Sequence, residues 1–115
     1  MAELSVHAHR FGEGIKLFNR AEFFEAHEVL EDVWREAPAA EKKFLQGLIQ
    51  AAVAFHHHSS GNVVGARSLL ARARRNLSRT RQQFRGIHLD PLLESLARWQ
   101  AALEDSQPVP PLPRI

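Results

Sequence analysis

The chain has 115 residues, of which 24% are charged, and a formal net charge of +2. A chain of this length fits one domain that buries roughly two thirds of its unfolded surface, so it needs no covalent or metal staple to fold. The absence of cysteine excludes a disulfide framework and a thiolate metal site, so any metal would be held by imidazole, carboxylate or amide oxygen. We expect a cytoplasmic protein, because a chain without cysteine suits a reducing compartment. We expect no membrane span, because the uncharged run at residues 44–61 contains two glutamines and three histidines.

Apolar residues recur every three to four positions along the chain, which predicts an all-α fold. We expect a compact bundle of four to five helices built on an antiparallel helix hairpin. A first helix is predicted at residues 4–19, weakened by Gly12 and Gly14, and a strong second helix at residues 20–37, ended by Pro38.

Three more helices are predicted further along the chain, at residues 40–59, 63–85 and about 90–104. Asn62 is the expected N-cap of the second of these, and Gly86 the left-handed residue that ends it. Asp90 and Pro91 form an N-cap followed by proline, which starts the last helix. We assign residues 1–105 to a single helical domain and the proline-rich residues 106–115 to an extended tail.

The predicted second helix carries the one cluster of residues that suggests chemistry. His27, Glu31 and Trp34 are spaced one helical turn apart and share a face. Phe24 closes the apolar arc beside them, while the other acids of the helix fall on the opposite side. We therefore predict that Glu31, alone among these acids, faces inward, where an unpaired charge would cost several kcal/mol.

The predicted third helix supplies partners for this face. Gln46, Gln50 and His57 fall together on one side of it. In an antiparallel hairpin about Pro38, Glu31 would lie level with Gln46 and His27 level with Gln50. The two polar stripes can therefore face each other.

Two interpretations of this layer remain open. The first is a buried hydrogen-bonded network, covered by Trp34, that makes the core specific without catalysis. The second is a metal or acid/base site, since His and Glu one turn apart form a rigid helical ligand pair for a divalent metal ion. Its third ligand would be His57, although the hairpin register puts His57 about two turns from His27. The alternative donors are His7, His9, His56 and His58.

Residues 18–70 resemble a known family. The stretches FNRAEFFEAHEVLEDVWREAP, KKFLQGLIQAAVAFHH and GNVVGARSLL are similar to the bacterial and archaeal family called domain of unknown function 309. Its hallmark of His, three residues, Glu, two residues and Trp or Tyr falls on His27, Glu31 and Trp34. The resemblance implies a compact helical bundle with a suggested metal site, and the chain departs from the family at Ala21, where glycine is common.

The predicted fourth helix is strongly basic. Residues 63–89 contain seven arginines and no acid, whereas residues 22–36 hold six acids and one arginine. We expect the arginines to form a solvated face partly paired with the acidic helix. A phosphate-binding face is the alternative, but without a base-reading motif or interleaved aromatic residues we do not expect nucleic-acid binding.

Two hypotheses of function follow. The first is a small metal-binding helical protein with a His/Glu site. If such a protein is an enzyme, we expect it to be a hydrolase. The second is a non-catalytic, helical-repeat-like interaction module with a structural polar layer; residues 23–30 and 63–70 align without gaps, a faint internal repeat. The apolar residues of the last helix either pack internally or form a homodimer: Leu92, Leu96, Trp99 and Leu103.

Overall fold

The computed structural model describes residues 2–80 and 83–115, with the backbone alone at residues 2–7 and 83–84. The predicted all-α fold is confirmed. Five helices and a short two-stranded ribbon follow one another in the described residues: α1 Ala2–Asn19, α2 Phe23–Glu36, α3 Ala39–Ser59, α4 Val63–Ser78, β1 Gln83–Phe84, β2 Ile87–His88 and α5 Leu89–Glu104.

The helices pack chiefly on their neighbours in the sequence. The main contacts join α1 to α2, α2 to α3, α3 to α4 and α4 to α5. The molecule is accordingly longer than it is wide, with extents of 48 × 26 × 19 Å. The predicted α2–α3 hairpin is therefore one step in a row of helices, and α3 separates α2 from α4.

An aromatic cluster joins four of the helices at one end of this row. The Phe55 ring of α3 lies 5.1 Å from Phe23 of α2 and 5.0 Å from Trp99 of α5, centroid to centroid. Phe18 of α1 stands edge-on to Phe23 at 5.1 Å. Such tilted and edge-to-face pairs add to the free energy gained by burial, by about 0.5–1.5 kcal/mol each. The cluster therefore links α1 to α5 by way of α2 and α3.

Two buried glycines allow close approach between helices. A Cβ atom on Gly14 of α1 would meet Leu30 Cδ2 at 2.7 Å, and one on Gly47 of α3 would meet Leu77 Cγ at 2.6 Å. Gly12 has no neighbour within 4 Å of such a position. The glycines do not interrupt α1, which is continuous from Ala2 to Asn19, and Gly14 instead fixes its distance from α2.

The predicted fourth helix is too long by about seven residues. α4 ends at Ser78, where the hydroxyls of Ser78 and Thr80 donate hydrogen bonds to the carbonyls of Arg75 and Leu77, at 3.0 and 2.7 Å. Such local bonds compete with helix propagation. Arg85 and Gly86 have φ of 50° and 80° and connect β1 to the antiparallel β2. Gly86 is left-handed as predicted, but in a hairpin turn rather than a helix cap.

Other predicted boundaries fall within a few residues of those observed. The Asn62 side chain accepts a hydrogen bond from Gly65 N at 2.9 Å, so the predicted N-cap of α4 is confirmed. α5 starts at Leu89, and its N-cap is His88, two residues before the predicted N-cap Asp90. The apolar residues of α5 pack internally, with exposed fractions of 2%, 0%, 2% and 8% at Leu92, Leu96, Trp99 and Leu103.

Residues 106–115 are irregular and return to the helices. Trp99 Nε1 donates to the carbonyl of Pro111 at 3.1 Å. The backbone N–H of Ile115 donates to Asn19 Oδ1 at 2.6 Å, which ties this segment to the end of α1. Among the described residues, no helix has the length and apolar character that crossing a membrane requires.

Candidate metal site

The site residues lie beside the apolar seam between α2 and α3. Ala26, Leu30 and Val33 are buried on the inner face of α2, and they set the orientation of that helix. His27 and Glu31 follow Ala26 and Leu30 by one position, so they flank the seam. His27 is the more covered of the two, with 19% of its side chain exposed against 42% for Glu31.

The His27 ring is oriented by its own helix. Nδ1 lies 2.5 Å from the carbonyl oxygen of Phe24, and because a carbonyl only accepts, Nδ1 carries the proton and donates. This tautomer leaves a lone pair on Nε2 of the neutral ring. The Phe24 ring packs edge-on to the imidazole at 5.0 Å and holds it from the other side.

Glu31 faces the free nitrogen of this ring without touching it. Glu31 Oε1 lies 3.9 Å from His27 Nε2, too far for a direct hydrogen bond. Glu31 Oε2 lies 3.8 Å from Arg35 Nη2. Among the acids of α2, Glu31 is half-buried and Glu25, Glu28, Asp32 and Glu36 are exposed. The Glu31 side chain is nonetheless 42% exposed, close to the 46% of Asp32, so, contrary to the prediction from the sequence, it does not point into the core.

The predicted buried polar network is wrong for the residues that the structure describes. No polar or charged residue among them is buried. Gln46 is exposed, and Gln50 accepts a hydrogen bond from Asn76 of α4 at 2.7 Å instead of facing His27. Small and apolar side chains fill the α2–α3 seam, which turns the polar stripe of α3 toward solvent and toward α4.

Trp34 covers the far end of the seam. Lys42 Nζ lies 4.3 Å from the centre of its ring, a cation–π contact between α2 and α3. Its Nε1 atom is buried, with no hydrogen-bond partner in the part of the chain described. Trp34 thus holds the base of the hairpin, and the polar layer it was predicted to cover is absent.

The three consecutive histidines of α3 diverge toward three different elements. His56 packs on Phe24 of α2, with 5.3 Å between ring centroids. His57 Nδ1 lies 3.4 Å from Asn62 Nδ2 in the turn before α4. His58 stands edge-on to Trp99 of α5 at 5.0 Å. His57, the predicted third ligand, is therefore directed to the α3–α4 turn.

Nor do the alternative donors on α1 complete the site. His9 is exposed, and the side chain of His7 lies outside the described residues. Within residues 8–80 and 85–115, no three His, Asp or Glu side chains come close enough to hold one metal ion. The His27–Glu31 pair is thus a two-ligand arrangement.

The geometry of the pair nevertheless fits a bridging cation. Bonds to Zn²⁺ measure about 2.0–2.2 Å from both imidazole nitrogen and carboxylate oxygen, so an ion can contact two atoms 3.9 Å apart. Metal-binding histidines usually donate their other N–H to a carbonyl or carboxylate, as His27 does to Phe24.

Sequence reasoning ranked His56 behind His57, although it is His56 whose ring packs on Phe24, the neighbour of His27. The weak signal for His56 lay in the hairpin register, which puts the end of α3 opposite the start of α2. Phe24, which contacts both His27 and His56, is 46% exposed. This Phe24 platform separates the two imidazoles.

Comparisons with known proteins agree with the resemblance seen in the sequence. The model of the family described as domain of unknown function (DUF309) matches residues 11–69. The chain belongs to this family. The match contains α2 and α3 entire, and with them every residue of the candidate site.

Two bacterial relatives also match. The chain is 39% identical over 70 residues to the uncharacterised protein YpuF of Bacillus subtilis strain 168, an alignment that covers 60% of this chain and 40% of the relative. It is 37% identical over 73 residues to an uncharacterised protein of Aquifex aeolicus strain VF5, covering 63% of this chain and 22% of that relative. The aligned region thus spans less than half of each relative.

Proposed function

We propose that this protein binds a divalent metal ion through His27 Nε2 and the Glu31 carboxylate. The observation that carries the proposal is the 3.9 Å gap between these two atoms, next to a ring whose Nδ1 is already engaged by Phe24. With Nδ1 protonated, Nε2 and the Glu31 carboxylate both only accept, so no direct hydrogen bond joins them and both keep lone pairs for a cation. Arg35 Nη2 lies 3.8 Å from the other carboxylate oxygen of Glu31, so the ion would have to compete with this guanidinium for the carboxylate charge.

Two protein ligands leave further coordination positions for water or substrate. When bound, a divalent ion would act as a Lewis acid, and hydrolysis is the reaction class that this chemistry supports. His27 and Glu31 would hold the ion, and Phe24, half-exposed beside the pair, offers an apolar contact to a bound molecule. The proposal concerns this chain, which aligns with less than half of each relative.

Metal titration tests this function directly. We expect calorimetry to show that Zn²⁺, Mn²⁺ or Fe²⁺ binds at one site. The bound ion should raise the melting temperature, because a free metal concentration of 100 times Kd adds about 2.7 kcal/mol to the free energy of unfolding. His27→Ala and Glu31→Gln should each lower the affinity by at least about 10-fold. His9→Ala, an exposed histidine on α1, is the matched control and should bind like the wild type.

The contrary result is equally clear. If no metal co-purifies, and neither chelator nor added metal changes the melt, the metal function is excluded. Equal loss of affinity in the His9 control would point to nonspecific binding by surface histidines.

A non-catalytic interaction module is the second candidate. The row of helices favours it, because each helix packs chiefly on its sequence neighbours, as in repeat proteins, and the outer faces stay open. In this function Glu31 contributes only a surface ion pair with Arg35. Glu31→Gln would then leave both metal uptake and the melting temperature unchanged.

A further inference from the structure

The outward side of α4 and the residue that follows it, Arg79, carry exposed arginines, which we call the arginine row. Arg67, Arg72, Arg75 and Arg79 are exposed, and none forms an ion pair with any other residue of the described ranges. From Arg67 to Arg79 they extend over thirteen residues, or about 18 Å at 1.5 Å per step. The seventh arginine of the basic segment, Arg85, is bound to Glu41 and lies apart from this row; Arg81 lies outside the described residues.

The acids of α2 do not neutralise this face, contrary to our expectation from the sequence. α4 packs chiefly on α3 and α5, and α3 stands between it and α2. The ion pairs that α2 does form are made with Arg10 of α1 and with its own Arg35. The acids of α2 are thus on another side of the molecule, but an acid of α5, Glu104, lines the same groove as Arg67. The four exposed arginines outnumber it, so the potential at this face is positive.

A shallow groove runs beside the row, between α4 and α5. Its two sections measure about 560 and 380 Å³ and share Ala71 and Gln100. Small side chains of α4, Ser68, Ala71 and Ser78, line it together with arginines. One of these, Arg74, is held in place by a 2.8 Å hydrogen bond from Nη1 to Gln100 Oε1. The described lining therefore contains three arginines, one acid, Glu104, and no aromatic residue.

We propose that this face binds the phosphodiester backbone of a nucleic acid. Each guanidinium offers a fork of N–H donors that matches phosphate oxygens. At about 100° per residue, Arg72, Arg75 and Arg79 lie within about 60° of one another around the helix axis, so these three can contact successive phosphates. Arg67 lies on the flank toward α5. The proposal does not depend on the metal function, since α4 contributes no residue to the His27–Glu31 pair.

A protein partner fits this face less well. The cores of protein interfaces are depleted of charge and anchored by apolar or aromatic side chains. In residues 67–79 the leucines are buried or half-buried, and the exposed valines, Val63 and Val64, precede the row. Phosphate binding requires only the cations.

The bound nucleic acid would be recognised without regard to sequence. Adenine edges are read by the amides of Asn and Gln, and the two amides near the row already have partners, while the arginines would contact phosphates. Asn76 Nδ2 donates to Gln50 at 2.7 Å, and Gln100 accepts from Arg74. Affinity should therefore depend on charge and salt and not on base composition.

Fluorescence anisotropy with the whole chain tests the proposal, using a 20-base-pair DNA duplex and a single strand of the same sequence as separate probes. With about four phosphates neutralised, Kd for the duplex should rise on the order of 100-fold between 50 and 200 mM salt. A lower Kd for the duplex than for the single strand at 50 mM salt would identify the duplex as the better ligand.

Charge-matched variants locate the binding face. Arg72→Gln, Arg75→Gln and Arg79→Gln combined should weaken binding by at least 10-fold at 50 mM salt and lower the salt slope by about 3. Replacing the same three arginines by lysine should restore most of the affinity. The control, Lys16→Gln, Arg20→Gln and Arg114→Gln, removes equal charge from exposed positions elsewhere and should bind like the wild type.

Three results would overturn the proposal. One is no saturable binding at 50 mM salt, and another is equal weakening in the control variant. The third is that sedimentation shows self-association which the α4 glutamine variant abolishes while neither probe binds. In that case the arginines would contact the acidic α2 of a second copy.

Discussion

Ala21 holds a left-handed backbone conformation, with φ of 61°, in the turn between α1 and α2. A residue with a Cβ atom is strained there by about 1–2 kcal/mol, whereas glycine is not. Ala21→Gly should therefore raise the free energy of unfolding by about 0.5–1 kcal/mol, after the greater flexibility of glycine in the unfolded chain is subtracted. Thermal or urea unfolding measures this change, which corresponds to a few degrees in Tm.

The matched control is Ala8→Gly. Ala8 is exposed within α1, where glycine costs about 1 kcal/mol because helix propensity is lost. Opposite signs for the two substitutions are expected. A loss of stability at both positions would show that Ala21 is not strained.

The sequence predicted Ala21 as a departure from the family and Glu31 as the exceptional acid of α2. It could not predict how far Glu31 is buried, since helical angles place a residue on a face but do not fix where the neighbouring helix ends. The same limit explains His57. Consecutive positions differ by about 100°, so a small error in register exchanges His56 for His57.

At the scale of helices, Gly47 sets the distance between α3 and α4. A Cβ atom there would lie 2.6 Å from Cγ of Leu77, a side chain with no exposed surface. We expect Gly47→Ala to lower the free energy of unfolding by about 1 kcal/mol or more, because overpacking costs about 1–3 kcal/mol and better helix propensity returns at most about 1.

Gly12→Ala tests the same substitution without the packing conflict. Gly12 lies within α1 and has open space around its Cα, so propensity alone should act and stability should rise by about 0.5–1 kcal/mol. Denaturant unfolding of both variants compares the two positions. A gain at Gly47 equal to that at Gly12 would contradict close α3–α4 contact.

The helices were predictable in number and approximate position, because apolar periodicity and caps such as Asn62 are local signals. The end of α4 was not. The basic, periodic stretch of residues 63–85 continues a helical pattern past Ser78, but hydroxyl groups of Ser78 and Thr80 bond to nearby carbonyls. The following ribbon then depends on a contact distant in sequence, since Arg85 Nε donates to Glu41 of α3 at 2.8 Å.

For the whole molecule, residues 106–115 connect the two ends of the row of helices. They accept a hydrogen bond from Trp99 of α5 and donate one to Asn19 of α1. Removing these ten residues should lower stability by about 1–3 kcal/mol, since each hydrogen bond contributes about 1 kcal/mol net and apolar contacts are lost. Denaturant unfolding checks the loss.

Tryptophan fluorescence gives a second readout of the same truncation. In a Trp34→Phe background the emission comes from Trp99, which is 2% exposed in the full chain. Truncation should shift this emission to longer wavelength. An unshifted spectrum with unchanged stability would mean that residues 106–115 do not cover Trp99 in solution.

The consecutive packing of the helices has a consequence for how the chain folds. Contacts between sequence neighbours close small loops, and proteins dominated by such contacts fold in microseconds to milliseconds. The link between Ile115 and Asn19 spans 96 positions and carries the greatest loop-closure entropy, so it should form last. Stopped-flow refolding should accordingly show α-helical signal recovering before the Trp99 environment does.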